Sequence, residues 1–127
     1  MPSKQTLENF IARVEANAHI EAVEEFYTED ATMQENNEPP RLGRSAHVAN
    51  ERKVMARAKS LRSTCVRPVF CEGDKVVIRW IFHFEWHDGT SMHVEELAYQ
   101  RWEGERIAEE QFFYDPAQRV SVVVEKY

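Results

Sequence analysis

The residues best suited to chemistry lie on one strand-like run, Lys75–His87, in which apolar and ionisable side chains alternate. Neighbouring side chains of a β-strand point to opposite faces. The even-numbered face is wholly apolar and largely aromatic, with Val76, Ile78, Trp80, Phe82, Phe84 and Trp86. The odd-numbered face is mixed, with Val77, Arg79, Ile81, His83, Glu85 and His87. We expect the aromatic face to be covered and the mixed face to line either solvent or a pocket with a few polar groups.

A histidine that shares a face with carboxyl groups is typical of acid–base chemistry. His83 has Glu85 on its own face, and a Glu95-Glu96 pair follows on the next apolar run. A carboxylate partner tunes an imidazole and fixes its tautomer, which suits proton transfer. The same contacts equally satisfy a structural histidine in a protein interior. The residues themselves leave both interpretations open.

Metal and disulfide chemistry are not predicted. Ligand-type side chains occur at His83, Glu85, His87 and His93, but no HExxH or similar spacing is present. Cys65 and Cys71 lie on one predicted strand, roughly 20 Å apart at ~3.3 Å per residue. That separation is far beyond the reach of a disulfide. We therefore expect two free thiols, no metal and no cofactor.

The elements that must position these residues follow from the hydrophobic period. Two helices are predicted first, and their apolar residues are Leu7, Phe10, Ile11 and Val14, followed by Ile20, Val23, Phe26 and Tyr27. Ser3 or Thr6 is the expected cap of the first helix. A short strand at Thr32–Glu35 precedes a third helix at about Ser45–Lys59, for which Ser45 is the expected cap.

After the third helix the period changes from 3.6 to 2. Strands are predicted at Ser63–Glu72, Lys75–His87, Met92–Trp102 and Arg106–Tyr114. Turns of two to four residues, each with a glycine, make them antiparallel hairpins. Helices followed by a meander predict an α+β fold, a cone-shaped barrel with three N-terminal helices packed on a curved antiparallel sheet. The tail Ala117–Tyr127 is expected to be a last strand or an arm that reaches a partner subunit.

Composition narrows the class of protein. At 127 residues and 43% hydrophobic content, the chain is expected to be a single domain over residues 1–127. A net charge of −6 argues against nucleic-acid binding, which needs a basic surface for phosphates. No apolar run reaches the roughly 18 residues of a membrane span, and no secretory core follows Met1. We therefore expect no membrane partner and a cytoplasmic location.

Several motifs occur in the same order as the elements. They are Ile20–Val23, Phe26–Thr32, Pro40–Arg44, Gln100–Ile107 and Phe112–Asp115. In this order the chain resembles the nuclear transport factor 2-like superfamily, and within it the SnoaL-like polyketide cyclase and ketosteroid isomerase branches. The resemblance spans about Leu7 to Pro116. Because these motifs are mostly packing and turn residues, they specify the fold better than the activity.

The resemblance implies only part of the isomerase machinery. The general-base carboxylate of that branch falls at Glu35, which as a sequence feature is either a surface glutamate or a partly desolvated base. The two oxyanion-stabilising positions fall at Ile11 and Ala98, which cannot donate hydrogen bonds. The steroid isomerisation needs base and donor together, so we do not expect that activity.

The resemblance also implies which faces line the pocket. An alignment through Gly89 puts the odd-numbered residues of 77–87 on the concave side. The implied catalytic residues are Glu35, His83 and Glu96. Glu35 and His83 would carry protons, and Glu96 would have an orienting role. As a buried carboxylate, Glu96 would need Arg79 or His83 as a partner. The other implied pocket residues are Arg79, Ile81, Glu85, Val94, Trp102, Glu110, Phe112 and Tyr114. An arginine between two carboxylates resembles the epoxide hydrolase branch, where such a set activates a water.

The aromatic even-numbered face of Lys75–His87 would then lie on the convex side. Exposing an apolar patch of that size to water is unfavourable, so a homodimer through the convex sheet face is expected. The expected function is that of a SnoaL-like domain that binds a small, mostly apolar molecule in a cone-shaped pocket. Acid–base isomerase, cyclase or hydrolase chemistry is one expectation. A non-catalytic ligand-binding or dimerisation module is the other, and the sequence does not decide between them.

Overall fold

The computed structural model describes residues 1–123. The helices are α1 Lys4–Glu15, α2 His19–Phe26 and α3 Arg44–Arg57, with a 3-10 turn at Pro116–Arg119. The strands within residues 1–123 are β1 Tyr27–Glu35, β2 Arg41–Leu42, β3 Ala58–Glu72, β4 Lys75–Trp86, β5 Thr90–Glu103, β6 Arg106–Phe113 and β7 Val122–Val123. The predicted last strand is thus present at Val122–Val123. The rest of the predicted tail, Val124 to Tyr127, lies outside the described residues.

The first helix has the cap and the apolar face that its sequence predicts. The Ser3 hydroxyl accepts a hydrogen bond from the backbone N–H of Thr6 at 3.1 Å, which satisfies one free donor of the first turn. The side chains at helical spacing, Leu7, Phe10, Ile11 and Val14, are all buried. Helix α1 therefore covers one part of the sheet with an apolar stripe.

The third helix is held by a polar contact rather than by an apolar stripe. Its N-cap is Gly43, at φ +101°, without a side-chain cap, so the expected cap at Ser45 is wrong. A positive φ of this kind favours glycine. The one fully buried side chain of α3 is His47, whose Nε2 lies 2.7 Å from the carbonyl oxygen of Ala31. Since a carbonyl only accepts, Nε2 carries the hydrogen and ties α3 to β1.

The sheet is mixed and unclosed. Its order is β2-β1-β6-β5-β4-β3, and β7 pairs with the start of β5. The predicted hairpins β3–β4, β4–β5 and β5–β6 are antiparallel, whereas β1 pairs with β6 in parallel. The expected antiparallel sheet is therefore mixed at this one junction, because no hairpin joins β1 and β6. The α+β fold, with three helices on a curved sheet, is confirmed.

The register of β4 against β5 decides what faces the helices. Trp80 lies opposite Glu96 and Phe82 opposite Val94, so even-numbered residues of both strands share one face. That face is the buried one, as the 2% exposure of Trp80 and the 1% exposure of Val94 show. The expected facing of β4 is therefore wrong by one residue, and such a slip exchanges the two faces. The reason is the hydrophobic effect. The six consecutive even-numbered apolar side chains of β4 stabilise the fold most when the helices cover them and remove them from water.

No helix within residues 1–123 is both long and apolar enough to cross a membrane.

Candidate functional site

A cavity of about 120 Å³ lies between the three helices and the concave face of the sheet. Its apolar wall includes Phe10, Trp80, Phe82, Phe84, Val94 and Phe112. Its charged lining comprises Glu35, Arg41, Glu51, Glu96, Glu110 and Arg119. The cavity therefore combines an aromatic wall with a concentration of carboxyl groups, the composition expected of a small-molecule site.

Glu96 is the buried carboxyl at the centre of this lining. Its side chain is 5% exposed, and Oε2 has no hydrogen-bond partner among residues 1–123. The pKa of this carboxyl is raised to about 8, chiefly by burial and also by the nearby carboxyls of Glu35, Glu110 and Glu51, while Arg119 lowers it. Burial favours the neutral form of a carboxyl. Glu96 is therefore mostly protonated at neutral pH.

Arg119 bridges two carboxyl groups of the cavity. Its Nη2 lies 3.6 Å from Glu96 Oε2 and 3.5 Å from Glu35 Oε2. On its other side, Glu35 lies with Oε1 3.8 Å from Nη1 of Arg41. The guanidinium carbon of Arg119 is 4.5 Å from the ring centroid of Tyr114, a cation–aromatic contact that holds it over the cavity. The arrangement is a carboxyl–arginine–carboxyl set, and within the described part of the chain the Oε2 atom of each carboxyl has no hydrogen-bond partner.

Glu110 belongs to a separate hydrogen-bonded chain. The indole N–H of Trp102 donates to Gln100 Oε1 at 2.9 Å, and the Gln100 amide donates to Glu110 Oε2 at 2.6 Å. The hydroxyl of Tyr27 donates to Glu110 Oε1. Burial raises the pKa of Glu110 to about 7, although both hydrogen bonds lower it. Burial, together with the charge of Glu110, also raises the pKa of Tyr27 well above its ordinary value.

Glu51 and His19 line the opposite, helical side of the cavity. Burial raises the pKa of Glu51 to about 6, and burial lowers that of His19 to about 4. His19 Nε2 lies 2.8 Å from the hydroxyl of Ser63, which donates to Asn17 Oδ1. Nε2 therefore donates to that hydroxyl, and Nδ1 faces Glu51 Oε2 at 3.9 Å. His19 is a neutral, structurally anchored imidazole at this site.

Five of the expected site residues do line the cavity. They are Glu35, Val94, Glu96, Glu110 and Phe112. They come from β1, β5 and β6, whose concave faces were expected correctly. Glu35, His83 and Glu96 were expected to converge on one volume; Glu35 and Glu96 both line the cavity and share Arg119, whereas His83 is not part of its lining.

Four expected pocket residues lie on the outer face of β4 instead. They are Arg79, Ile81, His83 and Glu85, which alternate with the buried even-numbered side chains. Arg79 forms an ion pair with the exposed Glu95, and the ring of His83 stacks on His93 with centroids 5.6 Å apart. The expected pairing of Glu96 with Arg79 or His83 is therefore wrong, and His83 does not meet the carboxyls of the cavity.

Trp102 and Tyr114 support the site without forming its wall. Trp102 is 1% exposed and packs edge-to-face on Phe10, with ring centroids 5.9 Å apart. Tyr114 lies under Arg119, and its backbone N–H donates to Asn36 Oδ1 at 3.0 Å. Both side chains position charged or polar neighbours.

Sequence reasoning missed Glu51, Arg41, His19, Tyr27 and Arg119. A signal for Glu51 was present, because His47, Glu51 and Val54 are spaced to lie on one helical face. No local pattern marks Arg119, since its role depends on where the chain returns after β6.

The chain belongs to the SnoaL-like domain family, whose model matches residues 7–110. No curated protein matches its sequence. An NTF2-like protein of unknown function from Burkholderia pseudomallei superimposes with a TM-score of 0.75 at 15% identity, over 91% of this chain and 92% of that one. The family resemblance seen in the sequence is thereby confirmed.

Two further solved structures share the fold. A hypothetical protein with a ketosteroid isomerase-like fold from Catenulispora acidiphila, in complex with trimethylamine, gives a TM-score of 0.74 at 17% identity, over 91% of this chain and 89% of that one. An LEH-like epoxide hydrolase from M. tuberculosis gives 0.73 at 12% identity, over 90% and 83%. At such identities the likeness establishes the fold alone.

Proposed function

We propose that the protein is an acid–base enzyme that acts on a small, mostly apolar molecule bound in the cavity. The observation that carries this proposal is the buried carboxyl of Glu96, which lines the cavity and has one oxygen without a hydrogen-bond partner among residues 1–123. A carboxyl with a pKa of about 8 is protonated at neutral pH and able to give up its proton there. Such a group is a general acid placed against the ligand volume.

Glu35 is the complementary base in this proposal. It lies beside two guanidinium groups and is a quarter exposed, whereas Glu96 is almost fully buried. Two carboxyls in contrasting environments divide the acid and base roles between them. Glu96 would donate a proton to a substrate oxygen, and Glu35 would accept one from a substrate carbon or from a water. Arg119 holds both carboxyls in place and receives no proton.

Isomerisation, cyclisation and hydrolysis of an epoxide all consist of such paired proton transfers. The epoxide hydrolase of the same fold supports hydrolysis as one member of the set. The apolar wall formed by Phe82, Phe84 and Phe112 supports a ligand whose surface is mostly apolar.

The test is a pair of isosteric substitutions with a matched control. Glu96→Gln and Glu35→Gln are compared with Glu95→Gln, which changes the neighbouring carboxyl on the outer face. Against a panel of small carbonyls and epoxides, each cavity variant should lose roughly 10²–10⁴-fold in kcat, the usual contribution of one acid or base. Glu95→Gln should match the wild type. Wild-type turnover should fall as pH rises past about 8, where Glu96 loses its proton.

The non-catalytic alternative makes the opposite prediction. If panel compounds bind the cavity but the wild type turns none of them over, the domain is a binding module. If Glu96→Gln and Glu35→Gln turn them over as fast as the wild type does, these two carboxyls are not the acid and base. The predicted homodimer through the convex face and the predicted cytoplasmic location stay predictions. The aromatic face on which the dimer was argued is internal, so that proposal now depends on other residues of the outer face.

A further inference from the structure

Carboxyl groups outnumber cationic groups in the lining of the cavity. Among residues 1–123, four carboxyl side chains and two guanidinium groups face it. His19 adds no charge, because burial lowers its pKa to about 4. Both guanidinium groups contact Glu35, and one of them also reaches Glu96. No cationic side chain of residues 1–123 forms an ion pair with Glu110.

Glu110 is nevertheless held as a hydrogen-bond acceptor. An indole N–H only donates, so Trp102 fixes the oxygen of the Gln100 amide toward itself and the NH2 group toward Glu110. Tyr27 donates to the other carboxylate oxygen. Two fixed donors on one carboxylate favour its charged form, while burial without a cation opposes that form. Glu110 is therefore arranged to hold a negative charge for which residues 1–123 supply no cationic side chain.

The missing counterion fits an organic cation better than a metal ion. Hard metal cations need several oxygen ligands in a closed shell, and within residues 1–123 no group of three or more His, Cys, Asp or Glu side chains is arranged so that it could hold a metal ion. The same cavity has an aromatic wall, with Trp80, Phe82 and Phe84 in succession along β4 on the face of the sheet that also carries Glu96. Aromatic side chains attract alkylated ammonium groups and accept their methyl groups as apolar surface.

We propose that the cavity binds a small alkylated ammonium ion, with its charged nitrogen among Glu51, Glu96 and Glu110 and its alkyl groups against Trp80, Phe82 and Phe84. This proposal names the substrate class of the acid–base site, and its relevance to catalysis rests on the proposed function. Because binding can be measured without turnover, either proposal can fail while the other stands.

Binding of such a cation should release protons at neutral pH. Unoccupied, the cavity favours protonated carboxyls, since burial raises the pKa of Glu51, Glu96 and Glu110 to about 6, 8 and 7. A bound cation stabilises their ionised forms. The other titratable or charged groups that face this volume are His19, Tyr27, Glu35, Arg41 and Arg119.

The probe is choline, and its control is 3,3-dimethylbutan-1-ol, an uncharged molecule of nearly the same shape. Both are titrated into the full chain by isothermal calorimetry at pH 7, in two buffers of different ionisation enthalpy. We expect choline to bind at least tenfold more tightly than the alcohol and to release protons, which the alcohol does not. Glu96→Gln and Glu51→Gln should each weaken choline about tenfold and leave the alcohol unchanged. Glu95→Gln should alter neither.

Equal affinity for the two probes, or no choline binding at millimolar concentration, overturns this inference. If that result accompanies loss of turnover in Glu96→Gln, the acid–base function stands and the ligand class is wrong. If choline binds as expected but no substrate is turned over, the ligand class stands and the enzymatic proposal fails. Circular dichroism of each variant checks that the fold is intact, and Glu51→Gln, on a partly exposed helix position, tests the proposal should Glu96→Gln not fold.

Discussion

The guanidinium of Arg119 lies 3.6 Å from the buried carboxyl of Glu96, although the two residues belong to separate parts of the chain. Glu96 lies in the middle of β5, and Arg119 ends the 3-10 turn that follows β6. The same guanidinium lies 3.5 Å from Glu35 on β1. One cation from the segment after the sheet thus joins two carboxyls that the sheet holds apart.

Removing this cation should raise the pKa of Glu96. We expect the pKa of the Glu96 carboxyl to be higher in Arg119→Met than in the wild type, where it is about 8, because the charge of Arg119 lowers it. Glu51 should shift in the same direction, since Arg119 lowers its pKa too. Carbon-13 NMR titration of labelled glutamate carboxyls measures both values. Arg79→Met, which breaks an ion pair on the outer face, is the control and should leave both unchanged.

Glu96 should make the free energy of unfolding fall as pH rises. The carboxyl ionises near 4.5 in an unfolded chain and near 8 in the fold, so its favourable contribution is complete below 4.5 and lost by about 8. His19 acts oppositely, between about 4 and 6.5. The effect of Glu96 on stability is therefore free of the opposing effect of His19 from pH 6.5 to 8.

In Glu96→Gln the decline between pH 6.5 and 8 should be smaller. At pH 8.5 the variant should be more stable by about 2–3 kcal/mol, since one pKa unit corresponds to about 1.4 kcal/mol and the buried amide keeps part of the desolvation cost. Urea unfolding of the wild type and the variant at pH 6.5, 8 and 8.5 measures the decline and the difference in stability. An unchanged slope in the variant would show that Glu96 ionises normally in the fold.

Gln100 should be important for stability as the middle of a buried chain of hydrogen bonds. Gln100→Ala leaves the indole N–H of Trp102 and one oxygen of Glu110 without partners. A loss of about 2–4 kcal/mol in the free energy of unfolding is expected, since each buried group left unpaired costs about 1–3 kcal/mol. Thermal and urea unfolding measure the loss. Gln5→Ala, on an exposed position of α1, should change stability by less than about 0.5 kcal/mol.

The outer face of the sheet carries the proposed contact with a second copy. Leu97, Tyr99 and Phe113 are each more than 40% exposed there and adjoin one another across β5 and β6. Light scattering coupled to gel filtration should give twice the mass of the chain, and Tyr99→Glu should give the mass of one. Leu42→Glu, on the edge strand β2, should remain dimeric. A wild-type chain that elutes as a monomer at high concentration would disprove the dimer.

The sequence by itself determined the elements and most of their faces. The spacing of Leu7, Phe10, Ile11 and Val14 fixes the buried side of α1, because a helix presents residues three and four apart on one side. The glycine turns fix the hairpins, and the alternation along β5 and β6 fixes that Glu96 and Glu110 share a face. Glu35 could be selected because the general-base position of the resembled family falls there, and Glu96 because the resemblance implies that it faces inward, where a carboxyl is chemically unusual.

Tertiary structure decided which face of β4 points inward and what the buried carboxyls meet. Alternation separates Trp80 from Arg79, but a shift of one residue in an alignment exchanges them; burial of the aromatic side beneath the helices settles the choice. The contact of Glu96 with Arg119, and the placement of Glu51 across the cavity, depend on where distant segments pack. No local pattern encodes such distances, because the free energy that sets them comes from the packing of the whole chain.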